Sequence, residues 1–516
     1  MTNAERQFHR LKFRLWYFSR LYPTVGLPLR WAAQLATSGF ESGYRRRLES
    51  LGDGLFPSDR YERAFTVPCQ CTVVTDGASP DDLRGLTLLL NHLRIPYHRG
   101  GLRDVTATTA AHSQQPALFL MVGATANAVA SLSAMAPRLQ VVGFGSRTEE
   151  GPMVTRLSAL PAGLLPYREG LRSALTRAVV QALIHAEFPI VTGMLPPQAG
   201  MRVDDVAGTT CNRYVPELNE RGWVPNLGIF LEDFRPEAAA LLSRLDRAGR
   251  IECSPHAQNA YEFLFFNYKD GEPFAIDRFA SMWSEAVRQF DEWGLAVCPV
   301  LNAHFHAFSQ SAYPVLAASG VRYVFSELAP DHVDARPGPH YLPSGDPICT
   351  TGQPGAEVMW QIHSGDPTLN CNLPASTYDF LMHNDGRDVR LQAGRKIADR
   401  IALSLETGFA AWATTHEYLL DRLSQADTAV MLDESDRRLV GATVPFVKAP
   451  MSAIGRACEN HSTAVIDSVE TTATGARVAL RGGASGGGAL AILGTGKLAL
   501  REVPAFSGSH FEEIHW

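Results

Sequence analysis

The sequence predicts an α/β protein built in series: a parallel α/β unit of Rossmann/flavodoxin-like type, a (β/α) barrel, and a small β-sandwich-like unit. Three observations predict it. From about 66 to 190, apolar runs of strand length alternate with helical stretches. From about 190 to 430, short apolar runs recur and most end in polar or ionisable residues, the pattern by which a barrel assembles a site from its strand ends. After 431, short β-like runs are separated by Gly-rich turns. The expected divisions are a basic N-terminal helical segment at 1–62, the α/β unit at 63–190, the barrel at 191–430 and the β unit at 431–516.

Composition bounds the function classes. At roughly 150 residues per domain, 516 residues make three or four domains. Apolar residues make up 45% and charged residues 19%, which suits packed cores and excludes a disordered chain. A formal net charge of -6 gives no support for a nucleic-acid partner, because neutralising phosphates needs clustered positive charge. No run approaches the apolar length of a membrane-spanning helix. The first 35 residues are interrupted by Arg and Lys and lack a signal-peptide centre, so a cytoplasmic location is expected. None of the eight cysteines forms a CxxC pair, and free thiols in a reducing compartment are the expectation.

The elements follow in order. Residues 1–50 carry a local charge of +6, which leaves -12 on the remainder. Within them, 11–21 interleaves Phe13, Trp16, Tyr17 and Phe18 with Lys12, Arg14 and Arg20. That stretch reads as an amphipathic helix, packed on its own protein or set against a membrane surface or a partner. Strands are expected at 71–75, 117–123 and 139–145, and helices at 80–93 and 167–185. In the expected barrel, strands fall at 200–206, 224–231, 251–256, 295–306 and 321–326, with helices at 237–248, 276–293 and 312–319. Further helices are expected at 395–407 and 418–423. Beyond residue 457 no helix is expected, only β-like runs at 463–469, 476–481, 489–493 and 498–503, with 482–488 as a flexible turn.

Four strand-end elements carry the chemistry. Asp204 and Asp205 end an apolar run and lead into a Gly208-Thr209-Thr210 loop. Side chains alternate along a strand, but the second Asp can turn into the same mouth at a strand end. One carboxylate can then hold a metal while its neighbour acts on a water. His256 closes the second element, Glu252-Cys253-Ser254-Pro255-His256. The third is Asn302-Ala303-His304-Phe305-His306, whose residues 302, 304 and 306 share one face if the segment is extended. The fourth is Trp412-Ala413-Thr414-Thr415-His416-Glu417.

With these elements the sequence resembles the polysaccharide deacetylase superfamily, carbohydrate esterases with chitooligosaccharide-deacetylase homology, as a divergent multidomain member. The resemblance covers about 200 to 425. It implies a distorted (β/α) barrel, with Asp204 as catalytic base, Asp205 and His256 as metal ligands, and His416 as general acid. The family's His-x-x-x-His motif is half present, since position 260 is Ala. The third metal ligand is therefore assigned to His304 or His306, which stand where the family carries Arg-x-Pro. The layout 302–324, with Gly320, matches the family's strand, helix and Gly turn. Arg202, Asn302 and Trp412 are the substrate-binding candidates. The implied cofactor is a divalent metal, zinc first, with cobalt, nickel or manganese as substitutes. The implied activity is hydrolysis of an N-acetyl or O-acetyl group on a glycan or amino-sugar substrate.

Other readings compete. An H-x-H pair also suggests an amidohydrolase-type metal enzyme acting on another amide, although there the pair belongs on the first barrel strand. A glycoside hydrolase needs carboxylates set apart across a sugar, which adjacent Asp204 and Asp205 fit poorly; Glu252 or Glu262 would have to partner them. A non-catalytic carbohydrate-binding or scaffold protein with a degenerate metal site would explain the missing histidine at 260. Gly483-Ala484-Ser485-Gly486-Gly487 matches G-x-S-x-G only in letters, in a Gly-rich turn rather than a strand-to-helix elbow. Gly143-Phe144-Gly145 lacks the third glycine of a dinucleotide fingerprint. The run 494–497 lacks the flanks of a phosphate loop. His363, His383 and Asp385 fall in a polar stretch at 361–390, read as surface or the edge of a substrate groove.

Overall fold

The computed structural model describes residues 60–109, 116–136, 138–157, 174–209, 212–267, 273–304, 312–326, 346–349, 358–363, 387–421, 423–441, 444–472 and 474–516. The basic segment, His306, His383 and Asp385 lie outside them.

The first sheet comes from strand–helix alternation. In chain order it contains β1 (Cys71–Val74), α1 (Pro80–Leu93), β2 (Tyr97–Gly100), α2 (Leu102–Thr109), β3 (Ala117–Val122), α3 (Ala126–Ser133), β4 (Leu139–Phe144) and β5 (Val154–Leu157). The strands pair in parallel in the order β2-β1-β3-β4-β5. Parallel strands covered on both faces need apolar residues at successive positions. Leu118 and Leu120 of β3 enter one core, and Phe119 and Met121 enter the other. Ser79 caps α1 through a capping box with Asp82, and Arg94 ends it in the left-handed conformation. The three expected strands are present to within a residue. Strands β2 and β5 are too short and polar to have been legible. The expected helix at 167–185 overlaps α4 (Ala174–Ile184).

The second region carries β6 (Ile190–Gly193), β7 (Gln198–Val206), α5 (Tyr214–Glu220), β8 (Pro225–Phe230), α6 (Pro236–Arg247), β9 (Glu252–Ala257) and α7 (Ile276–Trp293). It continues with β10 (Val300–Leu301), α8 (Tyr313–Ala318), β11 (Tyr323–Ser326), β12 (Asp346–Cys349), β13 (Val358–His363), α9 (Arg387–Glu406) and β14 (Ala411–His416). Strands β14-β7-β8-β9 form one parallel sheet. A parallel bridge from Cys253 to Val297 leads toward a second sheet, β10-β11-β13-β12, parallel except for β12. Helix α7 shows why such helices form here. Phe279, Trp283, Ala286 and Phe290 recur at helical spacing and are buried, and Gly294 ends the helix with positive φ.

Two expectations fail in this region. The run 295–306 is not one strand: among the described residues pairing is limited to the single bridge at Val297 and to Val300–Leu301, and Asn302 and His304 follow in irregular backbone. Nor is 361–390 simply a polar loop, since Gln361–His363 pairs in β13 with β11, and α9 begins at Arg387.

The last elements are α10 (Glu417–Leu420), α11 (Gln425–Leu439), β15 (Val447–Lys448), α12 (Met451–Thr463), β16 (Ala464–Thr471), β17 (Gly475–Ala484), β18 (Gly488–Gly494), β19 (Lys497–Val503) and β20 (Phe506–His515). Helix α12 runs six residues past the point where helix was expected to end. Its Met451 and Ile454 occupy the space that a side chain at Gly200 of β7 would fill. Residues 482–484 are strand rather than flexible turn. Strands β16-β17-β20 form an antiparallel sheet, while the β18–β19 hairpin pairs with β6, almost 300 residues earlier in the chain.

Candidate metal centre

The site forms where β7, β9 and β14 end and the chain leaves β10. Parallel pairing sets Asp204 of β7 beside His416 of β14. Regular strand geometry would send Asp204 and Asp205 to opposite faces. The ladder between β7 and β8 slips between Val203 and Val206, and Asp205 takes φ 55°. Asp tolerates this left-handed conformation better than most residues, and the bulge re-aims its carboxylate. Both aspartates therefore serve one site.

Asp205, His256 and His304 converge so that one ligand atom from each lies within 4.8 Å of the others. Asp205 Oδ1 is 3.3 Å from His256 Nε2 and 3.2 Å from His304 Nδ1. His256 Nδ1 donates to the Asn302 carbonyl at 2.7 Å, which leaves Nε2 with its lone pair toward Asp205. His256 Nε2 and His304 Nδ1 are themselves 3.1 Å apart. A carboxylate oxygen and two imidazole nitrogens meeting so closely suit a shared cation, and among the described residues Asp205 Oδ1 is buried with no conventional hydrogen bond. Burial alone would raise the Asp205 pKa. The neighbouring His256 and His304 outweigh it and hold the carboxyl well below its usual range. Phe230 and Phe263 stand edge-on to the His304 ring, drying that side. One carboxylate and two imidazoles are a donor set that fits zinc or a similar divalent ion with a coordination position left open.

Asp204 sits beside this cluster and is only 4% exposed. Its Oδ1 accepts from Arg202 Nε, and its Oδ2 accepts from Asn302 Nδ2 at 3.0 Å. His416 faces Asp205 from the other side, with Nε2 3.8 Å from Oδ2. Its Nδ1 is buried and has no hydrogen-bond partner among the described residues. The geometry thus brings together Asp204, Asp205, His256, His304 and His416.

The three substrate-binding candidates are all buried. Arg202 is 0% exposed, and its guanidinium is spent on Asp204, Asn226 and the Asn302 carbonyl. It holds Asp204 and has no face for a substrate. Asn302 is buried too and bridges Asp204 to His256. Trp412 packs edge-on against Phe325 in a separate apolar cluster with Met451 and Cys458. Glu252 begins β9, at the opposite end of that strand from His256.

Two contributors, Asn226 and Gly228, escaped the sequence reading, and Glu417 was named in the fourth element without a role. Asn226 of β8 accepts from Arg202. Gly228 of β8 makes room: a Cβ there would lie 2.6 Å from Asp204 Oδ1 and 2.7 Å from Arg202 Nη2. Glu417 is buried and accepts from the Ala207 and Gly208 N–H groups at 2.7 and 2.9 Å. It also accepts from Asn212 Nδ2 at 2.6 Å, and so pins the loop that follows Asp205. A polar residue inside an apolar strand, and an acid next to a candidate catalytic histidine, were the available signals.

No protein-family model matches the chain, and no curated protein does. Several solved structures are similar to part of it. A protein from Mycobacterium smegmatis described as a polysaccharide deacetylase shares 12% identity, over 54% of this chain and 95% of that one, with a TM-score of 0.37. The chitin deacetylase of the fungal pathogen Colletotrichum lindemuthianum shares 9%, over 51% and 90%, at 0.31. A CE4 family pseudoenzyme from Bacillus anthracis shares 9%, over 50% and 66%, at 0.30.

Proposed function

We propose that this chain is a metal-dependent deacetylase that hydrolyses an N-acetyl or O-acetyl group of a glycan or amino-sugar substrate. The observation that carries the reading is the Asp205–His256–His304 cluster, flanked by a buried carboxylate, Asp204, and by His416. The strand-end motifs that resemble the polysaccharide deacetylases supply Asp204, Asp205, His256 and His416, and His304 would take the place of the histidine absent at position 260. In this reading 191–430 is the barrel that carries the site, with the flavodoxin-like and β-sandwich-like units on either side governing substrate choice.

Asp205, His256 and His304 would hold the ion, with zinc the first choice. When bound, such an ion supplies Lewis-acid polarisation of an acyl carbonyl and acidifies a water. Asp204, oriented by Arg202 and Asn302, takes a proton from the attacking water. His416 gives a proton to the departing amine or alcohol oxygen. The new C–O bond forms first, and the C–N or C–O bond to the leaving group then breaks, leaving acetate and the free sugar group. Phe230 and Phe263 limit water around His304 and strengthen the electrostatics there.

The test is acetate release from acetylated amino sugars and short glycans by zinc-loaded protein. Asp204→Asn is expected to lower kcat by about 10²–10⁴-fold. Equal release by wild type and Asp204→Asn would remove the proposed base. Absence of stoichiometric divalent metal binding by folded protein would instead favour a binding role without catalysis.

A further inference from the structure

The ladder between β7 and β14 ends where the candidate metal centre begins. Its last pair is Asp204 with His416, after which the chain turns from β14 into α10. The N–H groups of Ala207 and Gly208, next along the chain from β7, have no β14 backbone left to meet. A buried N–H without an acceptor is costly. The side chain of Glu417 takes the place of the missing strand. It is 1% exposed, and its Oε2 accepts from both N–H groups, at 2.7 and 2.9 Å. Its Oε1 accepts from Asn212 Nδ2 at 2.6 Å and from Tyr214 Oη at 3.4 Å. One carboxylate thus holds Gly208 and Asn212 at once.

The neighbours tighten this grip. Asp421, which ends α10, accepts from Thr209 Oγ1 through its carboxylate and from Arg213 Nη2 through its carbonyl, the latter at 3.0 Å. On the other side Gly208 has φ 69°, and a Cβ there would lie 2.7 Å from Ala238 Cβ of α6. The chain after Asp205 is therefore set between α6 and Glu417. Glu417 directly follows His416, and the N–H groups that it holds are two and three residues beyond Asp205. Asp205 itself stands at φ 55°, a conformation that persists only where the surroundings hold it. A shift at Glu417 is passed to His416 along one covalent link and toward Asp205 along another.

We propose that Glu417 is a positioning residue that fixes Asp205 and His416 relative to each other. It touches neither metal nor substrate. What the site needs from residue 417 is an oxygen at this reach, and the amide of a glutamine supplies one. The nitrogen of that amide would then face Asn212, whose Oδ1 is buried with no partner among the described residues and can accept from it once the Asn212 amide turns over. Alanine supplies no oxygen, and aspartate keeps the charge but withdraws it by a methylene.

This role rests on the deacetylase reading, and the test separates the two. Zinc affinity by equilibrium dialysis and acetate release are measured on the full chain, as wild type and as Glu417→Ala, Glu417→Asp and Glu417→Gln, with circular dichroism reporting each fold. Glu417→Ala is expected to bind zinc about tenfold more weakly and to lose about tenfold in kcat with little change in KM. Glu417→Asp is expected to lose about fivefold in both, and decides the matter if Glu417→Ala does not fold. Glu417→Gln is expected to stay within about twofold of wild type, a rescue that shows reach rather than charge at work. Wild-type zinc affinity in folded Glu417→Ala or Glu417→Asp, or Glu417→Gln as weak as Glu417→Ala, would overturn the proposal. Absence of zinc binding by wild type would sink the deacetylase reading instead. The nuclear magnetic resonance signals of labelled His256 and His304, which lie on other elements, then decide the positioning role. Displaced in Glu417→Ala and restored in Glu417→Gln, they support it; unmoved in both, they overturn it.

Discussion

Asp204 and Asp205 are adjacent in sequence and unlike in environment. Asp204 is held by Arg202 and Asn302, whereas Asp205 faces imidazole nitrogens. The pair itself was legible as two adjacent carboxylates ending an apolar run, whereas the division of roles between them came from the family resemblance. The role of Arg202 was not, since burial is a tertiary property. Glu417 offers a prediction at this scale. Burial pushes its carboxyl from the ordinary 4.5 up to about 7, against the pull of the Ala207 and Gly208 N–H groups, and nearby Asp421 adds to the rise. A carboxyl whose folded pKa lies above its unfolded value stabilises fully below about 4.5 and loses that contribution as pH rises through about 7. Wild type is therefore expected to lose stability relative to Glu417→Gln across that window, by a sum on the order of 3 kcal/mol. Thermal unfolding of both proteins from pH 4 to 9 checks it, and a pH-independent difference would count against the assignment.

At the scale of elements, the bulge in β7 and the glycine in β8 are what make a site from two strand ends. The expected strand at 295–306 shows how far pattern reading reaches. Alternation placed Asn302 and His304 toward one pocket, and both arrive there, but through irregular backbone after a two-residue strand. Strand β20 was missed because its sequence, Phe506–His515, is largely polar; pairing along β17 holds it in place. Gly228→Ala is expected to displace Asp204 and Arg202, since the added methyl has no space. Metal affinity and acetate release should both fall about tenfold or more while the circular dichroism spectrum is kept. Wild-type affinity in that variant would mean the β7–β8 contact is softer than its geometry. Asp205→Asn keeps a residue that tolerates the left-handed backbone and removes the charge, so metal binding should be lost with the fold intact. Equilibrium dialysis against zinc reads both variants.

At the scale of the whole molecule, distant parts of the chain share one core. A single apolar cluster runs from Tyr61 through the β7–β9 strands to Ile514. Strand β6 borrows its partner from β18, and α12 packs against β7 through Gly200. A chain ending after residue 484 would leave β6 without β18 and open that core to water. It is expected to unfold or aggregate, including its candidate metal centre, as read by proteolysis and near-ultraviolet dichroism. A truncated chain that binds zinc normally would show that the C-terminal strands are dispensable.

The sequence by itself determined the α/β class, a parallel sheet in the first elements and most of the residues that meet at the candidate metal centre. Those properties follow from apolar periodicity and from residue chemistry, both local. The tertiary structure alone decided three things: that Asp205 turns beside Asp204, that Arg202, Asn302 and Trp412 are buried rather than open to substrate, and that the C-terminal hairpin completes a sheet begun at residue 190. Each depends on a backbone conformation or a long-range pairing, and neither leaves a periodic trace in the chain.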